Sequence, residues 1–235
     1  MSNDYFQFRQ FRILHDRCAM KVGTDGVLLG SWGNVEGHRI LDIGTGTGLI
    51  ALMAAQRNPN AEVTGIEIDR EAVLQAQENI AESPFRSRVT CIWNDVLTFR
   101  PEFLFDAILC NPPFFTEDTL PDDKGRALAR NNKSLPFALL VPKVASLLSA
   151  EGSFSVVIPY HCTTEFTALC LAEGLHLVRR LSVQTTSHKP PRRALLTFTK
   201  REVTNHEDKT LVLMNSEGNR SQAYEKLTEA FYLQT

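Results

Sequence analysis

The sequence predicts an α/β fold in which helices cover both faces of a mostly parallel, seven-stranded sheet with an antiparallel last strand. Three observations carry this prediction. From residue 39 onward strand-like segments alternate with helical patterns, the strands are apolar almost throughout, and the last two strands follow each other without a helix. Two strands joined by a short loop pair antiparallel, which sets the last strand apart from the others.

The composition is that of an ordinary globular protein, with 43% hydrophobic and 22% charged residues among 235. We expect one domain with an N-terminal cap segment (1–38), a core (39–200) and a C-terminal extension (201–235). No apolar run has the length of a membrane span, and the charged N-terminus does not resemble a signal peptide. Five scattered cysteines without a C-x-x-C pair favour the reducing cytoplasm. The formal net charge of −2 means that any nucleic acid must meet a local basic patch.

The elements of the N-terminal half follow from local patterns. "YFQFRQFRIL" at 5–14 alternates like a strand or hairpin. Gly23, Asp25 and Gly26 predict a turn, followed by a short helix at 27–32. The next segments are, in order, the strand "RILDIG", the helix "LIALMAAQR", the strand "EVTGIEID", the helix "REAVLQAQENIAES" and the strands "RVTCIWND" and "FDAILCN".

The C-terminal half continues the alternation. "LPFALLVPKVASLLS" predicts a helix that contains Pro142, "GSFSVVIPY" a strand and "EFTALCLAEG" a helix that ends at Gly174. "HLVRRLSVQTT" and "RRALLTFTK" predict the last two strands, which the loop "SHKPP" joins at one edge of the sheet. Beyond residue 200 we expect a single amphipathic helix near "QAYEKLTEAFY".

The first strand-to-helix junction, "ILDIGTGTGLIAL", has the pattern of a cofactor site. Gly44, Gly46 and Gly48 follow Asp42, and glycine permits both a tight turn and a close approach of the backbone to a ligand. The spacing differs from the dinucleotide fingerprint G-x-G-x-x-G, whose last position is Leu49 in this chain. The alternative is a glycine-rich turn without a ligand.

Acidic side chains follow the second and third strands at the same predicted edge of the sheet, where open α/β sheets bind their ligands. Glu67 ends an apolar strand and is favoured as the acceptor for ribose hydroxyls. Asp69 competes for that role, but it precedes a helix and is also a natural N-cap. Asp95, after the third strand, could accept a hydrogen bond from an adenine amino group or cap a turn, and both possibilities stay open.

These features together resemble the class I S-adenosylmethionine-dependent methyltransferases. The resemblance rests on "DIGTGTG", on the acids after the second and third strands and on the antiparallel last strand, and it covers about residues 39–200. It implies that S-adenosylmethionine is the cofactor, with its amino-acid end over the glycine turn and its ribose on Glu67. The methionine carboxylate would then meet backbone N–H groups at the start of the helix.

The sequence Asn111-Pro112-Pro113-Phe114 follows the fourth strand. Proline lacks a backbone donor and restricts the residue before it, so the chain leaves the sheet along a stiff path. The carbonyls of Asn111 and Pro112 could accept both hydrogens of a planar amine and aim its lone pair at a methyl donor, while Phe114 stacks on the base. The alternative is a turn that only terminates the strand. The four residues are similar to the [DNS]-P-P-[YFW] signature of methyltransferases acting on adenine N6, cytosine N4 or a glutamine amide. This resemblance implies that Asn111 also borders the cofactor.

Segments near both ends of the chain resemble one particular family of methyltransferases. "QFRILHDRCAMKVGTDGVLLGSW" and "LTEAFYL" resemble the bacterial tRNA N6-adenine methyltransferases that modify valine tRNA at the adenine 3′ of the anticodon. The resemblance implies that Lys21, Thr24 and Asp25 fold over the cofactor, and that an adenine of the anticodon loop is splayed out to reach it. A plain turn remains the alternative for Asp25. Two other functions stay open: methylation of a protein glutamine, and a non-catalytic module that binds cofactor and RNA.

Two basic segments are candidates for phosphate contacts to tRNA, although solvated loop charges are the alternative for each residue. The first follows the proline motif and the second joins the last two strands; together they contain Lys124, Arg126, Arg130, Lys133, Lys189, Arg192 and Arg193. The six histidines have no metal-ligand spacing, so we expect no metal. We expect a monomer.

Overall fold

The computed structural model describes residues 4–18, 21–113 and 135–233. The strands are β1 (Tyr5–Gln7), β2 (Arg12–Leu14), β3 (Arg39–Ile43), β4 (Glu62–Glu67), β5 (Val89–Trp93), β6 (Phe105–Cys110), β7 (Leu148–Pro159), β8 (His176–Gln184), β9 (Arg193–Thr199) and β10 (Glu207–Val212). The helices are α1 (Thr24–Trp32), α2 (Leu49–Arg57), α3 (Arg70–Glu82), α4 (Phe137–Leu147), α5 (Thr163–Ala172) and α6 (Gln222–Thr228), with a 3-10 turn at Tyr160–Cys162.

The central sheet has eight strands in the order β10-β8-β9-β7-β6-β3-β4-β5. All neighbouring pairs are parallel except those of β9, which is antiparallel to both β7 and β8. The predicted fold and its antiparallel strand are therefore confirmed. The eighth strand, β10, comes from the C-terminal extension, where we expected only a helix. Only Leu211 is buried in β10, so this strand has almost no apolar pattern to reveal it.

Helix α1 begins at Thr24, so the turn predicted at 23–26 is wrong. The N–H of Val27 donates to the carbonyl of Gly23 at 3.2 Å, which places Asp25 and Gly26 in the first helical turn. The glycines of this helix serve packing rather than turning, because a Cβ on Gly30 would lie 2.5 Å from the Met53 sulfur on α2. Their presence in a helix therefore reflects a close contact between two helices.

The two ends of the chain pack together on the side of the sheet that carries α1 and α2. The antiparallel hairpin of β1 and β2 places Phe8 beside Tyr232, with ring centroids 6.1 Å apart and ring planes 13° apart. The N–H of Arg9 donates to the carbonyl of Phe231 at 2.8 Å. Both ends share one hydrophobic cluster with the core, as the burial of Phe8 and Phe231 beside Ile40 indicates.

Candidate active site

Strand register brings the predicted site residues to one edge of the sheet. Ile43 of β3 is level with Cys110 of β6 on one side and with Ile66 of β4 on the other. The next residue along each strand is Asn111, Gly44 or Glu67, so these three leave the sheet side by side at its carboxyl edge. The chain segments thus meet where parallel α/β sheets bind ligands.

The glycine loop between β3 and α2 needs its glycines for backbone conformation. The φ angles of Gly44, Gly46 and Gly48 are 68°, 54° and 82°, in the left-handed region that side chains other than glycine rarely adopt. A Cβ on Gly44 or Gly46 would meet no atom within 4 Å, so the space above the loop is open. The loop therefore combines a constrained backbone with room for a ligand.

Asp42 supports this loop from inside the protein. Its side chain is fully buried, and its Oδ2 accepts hydrogen bonds from the Thr45 hydroxyl at 2.6 Å and the Ala51 N–H at 3.1 Å. Burial raises the pKa of Asp42 from 3.8 to about 7, against the lowering effect of the two hydrogen bonds. Its Oδ1 is buried without a hydrogen-bond partner in the described part of the chain. Such an acceptor can interact with a donor or a positive charge on a ligand in the loop.

Glu67 is held directly against the glycine loop. Its Oε2 accepts a hydrogen bond from the Gly46 N–H at 3.0 Å, and its Oε1 accepts from the N–H groups of Ile68 and Asp69 at 2.8 Å and 3.0 Å. Asp69 is instead the N-cap of α3, since its Oδ1 accepts from the Glu71 N–H at 3.0 Å. This geometry favours Glu67 over Asp69 as the ribose acceptor, and the assignment stays a prediction.

The structure shows Asp95 in one of the two roles that the sequence left open, the cap of a turn. Its Oδ1 accepts from the Leu97 N–H at 2.9 Å and its backbone carbonyl accepts from the Thr98 N–H at 3.0 Å, so it caps the turn after β5. The second carboxylate oxygen takes no part in this cap. An adenine contact at that oxygen remains a prediction.

Two exposed apolar residues beside Glu67 were not identified from the sequence. Ile68 and Trp93 are 61% and 60% exposed, and the indole N–H of Trp93 donates to the Ile68 carbonyl at 2.9 Å. An apolar side chain directly after the ribose acid can flank a flat ring. The signal was present in "GIEID", where the apolar pattern continues one residue past the end of the strand.

The proline motif lies partly inside the described residues. Asn111 is half-buried, Pro112 is buried and Pro113 is exposed, directly beyond β6. Phe114 lies outside the described residues, as do the candidate RNA contacts Lys124, Arg126, Arg130 and Lys133. The amine-holding role of the motif therefore stays a prediction.

Two residues with different predicted roles form an ion pair. Asp25, expected at the cofactor, accepts a hydrogen bond through Oδ2 from Nε of Arg193, expected at the RNA, at 2.9 Å. Thr24 is exposed at the start of α1, and Lys21 is exposed two residues before Gly23. The other two candidate RNA contacts in the loop between β8 and β9 are also exposed; they are Lys189 and Arg192.

Buried polar residues of α3 tie the N-terminal segment to the glycine loop, a connection that sequence reasoning missed. The Asn79 amide donates to the carbonyls of Leu14 and Thr47 at 3.0 Å and 2.9 Å, and it accepts from the Leu14 N–H at 2.8 Å. Gln75, one turn earlier, accepts from the Arg17 N–H at 2.9 Å. Two amides four residues apart on the buried face of a helix were the available signal.

The parallel sheet, its antiparallel strand and the open glycine loop have the arrangement of the class I methyltransferase fold. The structure of a predicted O-methyltransferase from Agrobacterium tumefaciens is similar, with a TM-score of 0.71 and 18% identity, over 88% of this chain and 96% of that one. The structure of the glycopeptide N-methyltransferase MtfA complexed with S-adenosyl-L-methionine matches with a TM-score of 0.54 and 13% identity, over 77% of this chain and 100% of that one.

Sequence comparison identifies the family. The methyltransferase small domain model matches residues 22–179. A protein of Bacteroides thetaiotaomicron is 44% identical over 99% of both chains, and one of Citrobacter koseri is 43% identical over 97% of this chain and 94% of its own length. Both are named tRNA1(Val) (adenine(37)-N6)-methyltransferase. The chain belongs to the methyltransferase small domain family and, within it, to the family of these two relatives.

Proposed function

We propose that this protein transfers the methyl group of S-adenosyl-L-methionine to the N6 amino group of adenine 37 in the anticodon loop of valine tRNA. One observation carries the reaction class: Asn111 and Pro112 leave β6 directly beside the glycine loop that leaves β3. The name shared by relatives that match almost the whole chain supports the tRNA substrate.

S-adenosyl-L-methionine is the cofactor, and the residues of the carboxyl edge suit its parts. The open surface over Gly44 and Gly46 accommodates the amino-acid end, and the buried Asp42 Oδ1 offers an acceptor beneath it. Glu67 is already oriented by the Gly46 N–H and would accept hydrogen bonds from ribose hydroxyls. Ile68 and Asp95 would hold the adenine ring by an apolar contact and a hydrogen bond. When bound, the cofactor supplies an electrophilic methyl group.

The side chains of the proline motif act on the nucleophile. The adenine N6 lone pair is conjugated into the ring, so the amine must become pyramidal before it can attack. The Asn111 side-chain carbonyl and the Pro112 backbone carbonyl would accept the two amino hydrogens and favour that geometry. Pro113 stiffens the path, and Phe114 would stack on the inserted base. Positioning would therefore perform the catalytic work, and the proton that N6 loses after it is methylated would pass to solvent without a general base.

The tRNA would approach the same edge. β8 is antiparallel to β9, which is antiparallel to β7, so the loop that joins β8 to β9 lies at the carboxyl edge with Asn111. Lys189 and Arg192 are exposed on this loop and would contact phosphates. We extend the same role to Lys124, Arg126, Arg130 and Lys133. Free thiols at all five cysteines support a cytoplasmic location, and we propose that a monomer is active. No helix among the described residues is long and apolar enough to span a membrane.

Transfer of labelled methyl to tRNA tests the proposal. The protein is incubated with methyl-labelled S-adenosyl-L-methionine and bulk bacterial tRNA from a strain that lacks the corresponding enzyme, and the RNA is digested to nucleosides. We expect labelled N6-methyladenosine, and none with valine tRNA in which adenine 37 is replaced by guanine. Label in a protein fraction instead of tRNA would support glutamine methylation. Binding of cofactor and tRNA without label in either would support a non-catalytic module.

A further inference from the structure

Tyr160 is an exposed aromatic residue at the carboxyl edge of the sheet that the proposed chemistry does not use. It directly follows β7, and its side chain is 36% exposed. Since Cys110 of β6 is level with Val156 of β7, Tyr160 extends roughly 10 Å further in the strand direction than Asn111, at about 3.3 Å per residue. Tyr160 therefore lies one strand away from Asn111 and further out beyond the carboxyl edge of the sheet.

Among the residues that the structure describes, the ring of Tyr160 differs from the other exposed aromatic rings in having no cation over its face. The other exposed rings are Tyr5, Trp93 and Phe103. Each of them lies under an arginine guanidinium, whose Cζ atom is 4.2 to 5.7 Å from the ring centroid. Within the part of the chain that the structure describes, the Tyr160 ring stacks on no other aromatic ring and lies under no cation. The exposed part of this aromatic side chain can contact a planar ligand.

Hydrogen bonds fix the backbone of Tyr160, although its side chain is exposed. The Tyr160 N–H donates to the Arg192 carbonyl at 3.0 Å, and the Tyr160 carbonyl accepts from the Thr163 hydroxyl at 2.6 Å. A tyrosine has few rotatable bonds, so ordering its ring on a fixed backbone costs little conformational entropy. The same hydrogen bond places the backbone of Arg192, whose side chain is exposed, beside the backbone of Tyr160.

We propose that Tyr160 stacks on the base of a nucleotide next to the target adenine, while Arg192 contacts the adjoining phosphate. A rigid aromatic ring beside a cation is the usual arrangement for binding single-stranded nucleic acid. Extrusion of the target adenine unstacks its neighbours, and a new stacking partner would recover part of that energy. The inference rests on the proposed function, because it assumes that an RNA loop occupies this edge.

A fluorescence experiment tests the inference without methyl transfer. It uses RNA stem-loops that carry 2-aminopurine on the 5′ or the 3′ side of the target adenine. We expect wild-type protein and Tyr160→Phe to quench one of the two probes, and Tyr160→Ala to leave both unquenched at saturating protein. Because Tyr160→Ala removes the stacking contact, it should weaken RNA binding about tenfold. The slope of log Kd against log salt should not change, because no charge is removed. Tyr5→Ala removes another exposed tyrosine, on the N-terminal hairpin; it is the matched control and should behave as wild type.

The outcomes separate this inference from the proposed function. Equal quenching and affinity for Tyr160→Ala and wild type would overturn stacking even if tRNA is methylated. Equal losses in Tyr160→Ala and Tyr160→Phe would also overturn it, because they would assign the effect to the hydroxyl. Quenching that Tyr160→Ala abolishes, in a protein that methylates no tRNA, would support the stacking contact and reject the proposed reaction.

Discussion

Nε of Arg193 donates a hydrogen bond to Oδ2 of Asp25 at 2.9 Å, across 168 residues of sequence. The pair joins the first residue of β9 to Asp25 in the first turn of α1. The side chains of both residues are 27% exposed. Arg192, the preceding residue, lies outside β9, and its side chain is exposed. Two adjacent arginines therefore have different surroundings.

We expect the two arginines to separate in function. Arg192→Ala should reduce the slope of log Kd for tRNA against log salt by about 1, as the loss of one phosphate contact does. Arg193→Ala should raise the Kd for S-adenosyl-L-methionine, because it releases Asp25 at the start of α1. Asp25→Asn should then raise the Kd for S-adenosyl-L-methionine by a smaller factor in the Arg193→Ala protein than in wild type. Calorimetric titration of cofactor and salt-dependent RNA binding measure these effects, and identical profiles for Arg192→Ala and Arg193→Ala would reject the separation.

Asn111→Ala should abolish methyl transfer, with a loss of at least about 100-fold in kcat, because the amine loses a hydrogen-bond acceptor that orients its lone pair. The Kd for the cofactor should change less than about threefold. Asn111→Asp keeps an acceptor oxygen and is the matched control, for which we expect partial activity. Single-turnover methylation of tRNA gives the rate. Full activity of a folded Asn111→Ala protein would refute the amine-holding role.

Glu67 and Asp69 can be distinguished by substitution. Glu67→Ala should raise the Kd for S-adenosyl-L-methionine at least about tenfold, because a doubly hydrogen-bonded ribose contact is lost. Asp69→Ala removes the N-cap of α3 and should cost about 1 kcal/mol in the free energy of unfolding, with a smaller effect on cofactor affinity. Titration calorimetry and urea unfolding on the same samples give both quantities. A larger cofactor defect in Asp69→Ala would reverse the assignment.

The stability of the protein should depend on pH through Asp42. The pKa of this carboxyl is raised in the folded state to about 7 from 3.8, so the folded protein binds more protons than the unfolded chain between these pH values. The free energy of unfolding should therefore fall as the pH rises from about 4 to about 7. Since one pKa unit corresponds to about 1.4 kcal/mol, we expect a decrease of more than about 1 kcal/mol. Urea unfolding from pH 5 to 8 measures it, and Asp42→Asn, which cannot ionise, should show a smaller decrease.

Asn79→Ala should weaken the attachment of the N-terminal segment. The substitution leaves the Leu14 N–H and the carbonyls of Leu14 and Thr47 without their partner, and we expect a loss of about 3 kcal/mol in the free energy of unfolding. Cofactor affinity should also fall, because Thr47 belongs to the glycine loop. Gln77→Ala removes an exposed amide with one hydrogen bond on the same helix and should cost less than about 1 kcal/mol. Equal stability of both variants would contradict this role for Asn79.

The elements of the core were predictable because each repeats a strong local pattern. "LIALMAAQR" forms α2 with the predicted bounds, and the absence of a helix between the last two strands correctly indicated the antiparallel pairing of β9. The errors occurred where long-range contacts outweigh local preference. Gly26 suggests a turn by itself, yet it lies in a helix that packs closely on α2, where a Cβ on Gly26 would lie 3.2 Å from the Leu49 side chain. The polar strand β10 forms because β8 offers it an unpaired edge.

The candidate site was likewise predictable from the sequence only in part. The order of the chain was enough to assign Gly44, Glu67 and Asn111 to one edge, because residues that follow parallel strands of one sheet must meet at its carboxyl end. Sequence spacing could not show that Glu67 accepts from Gly46, that Asn79 ties residue 14 to residue 47, or that Arg193 pairs with Asp25. Those contacts join residues between 21 and 168 positions apart. They depend on how side chains pack in three dimensions, whereas fold class and motif positions depend on periodicity and residue type along the chain.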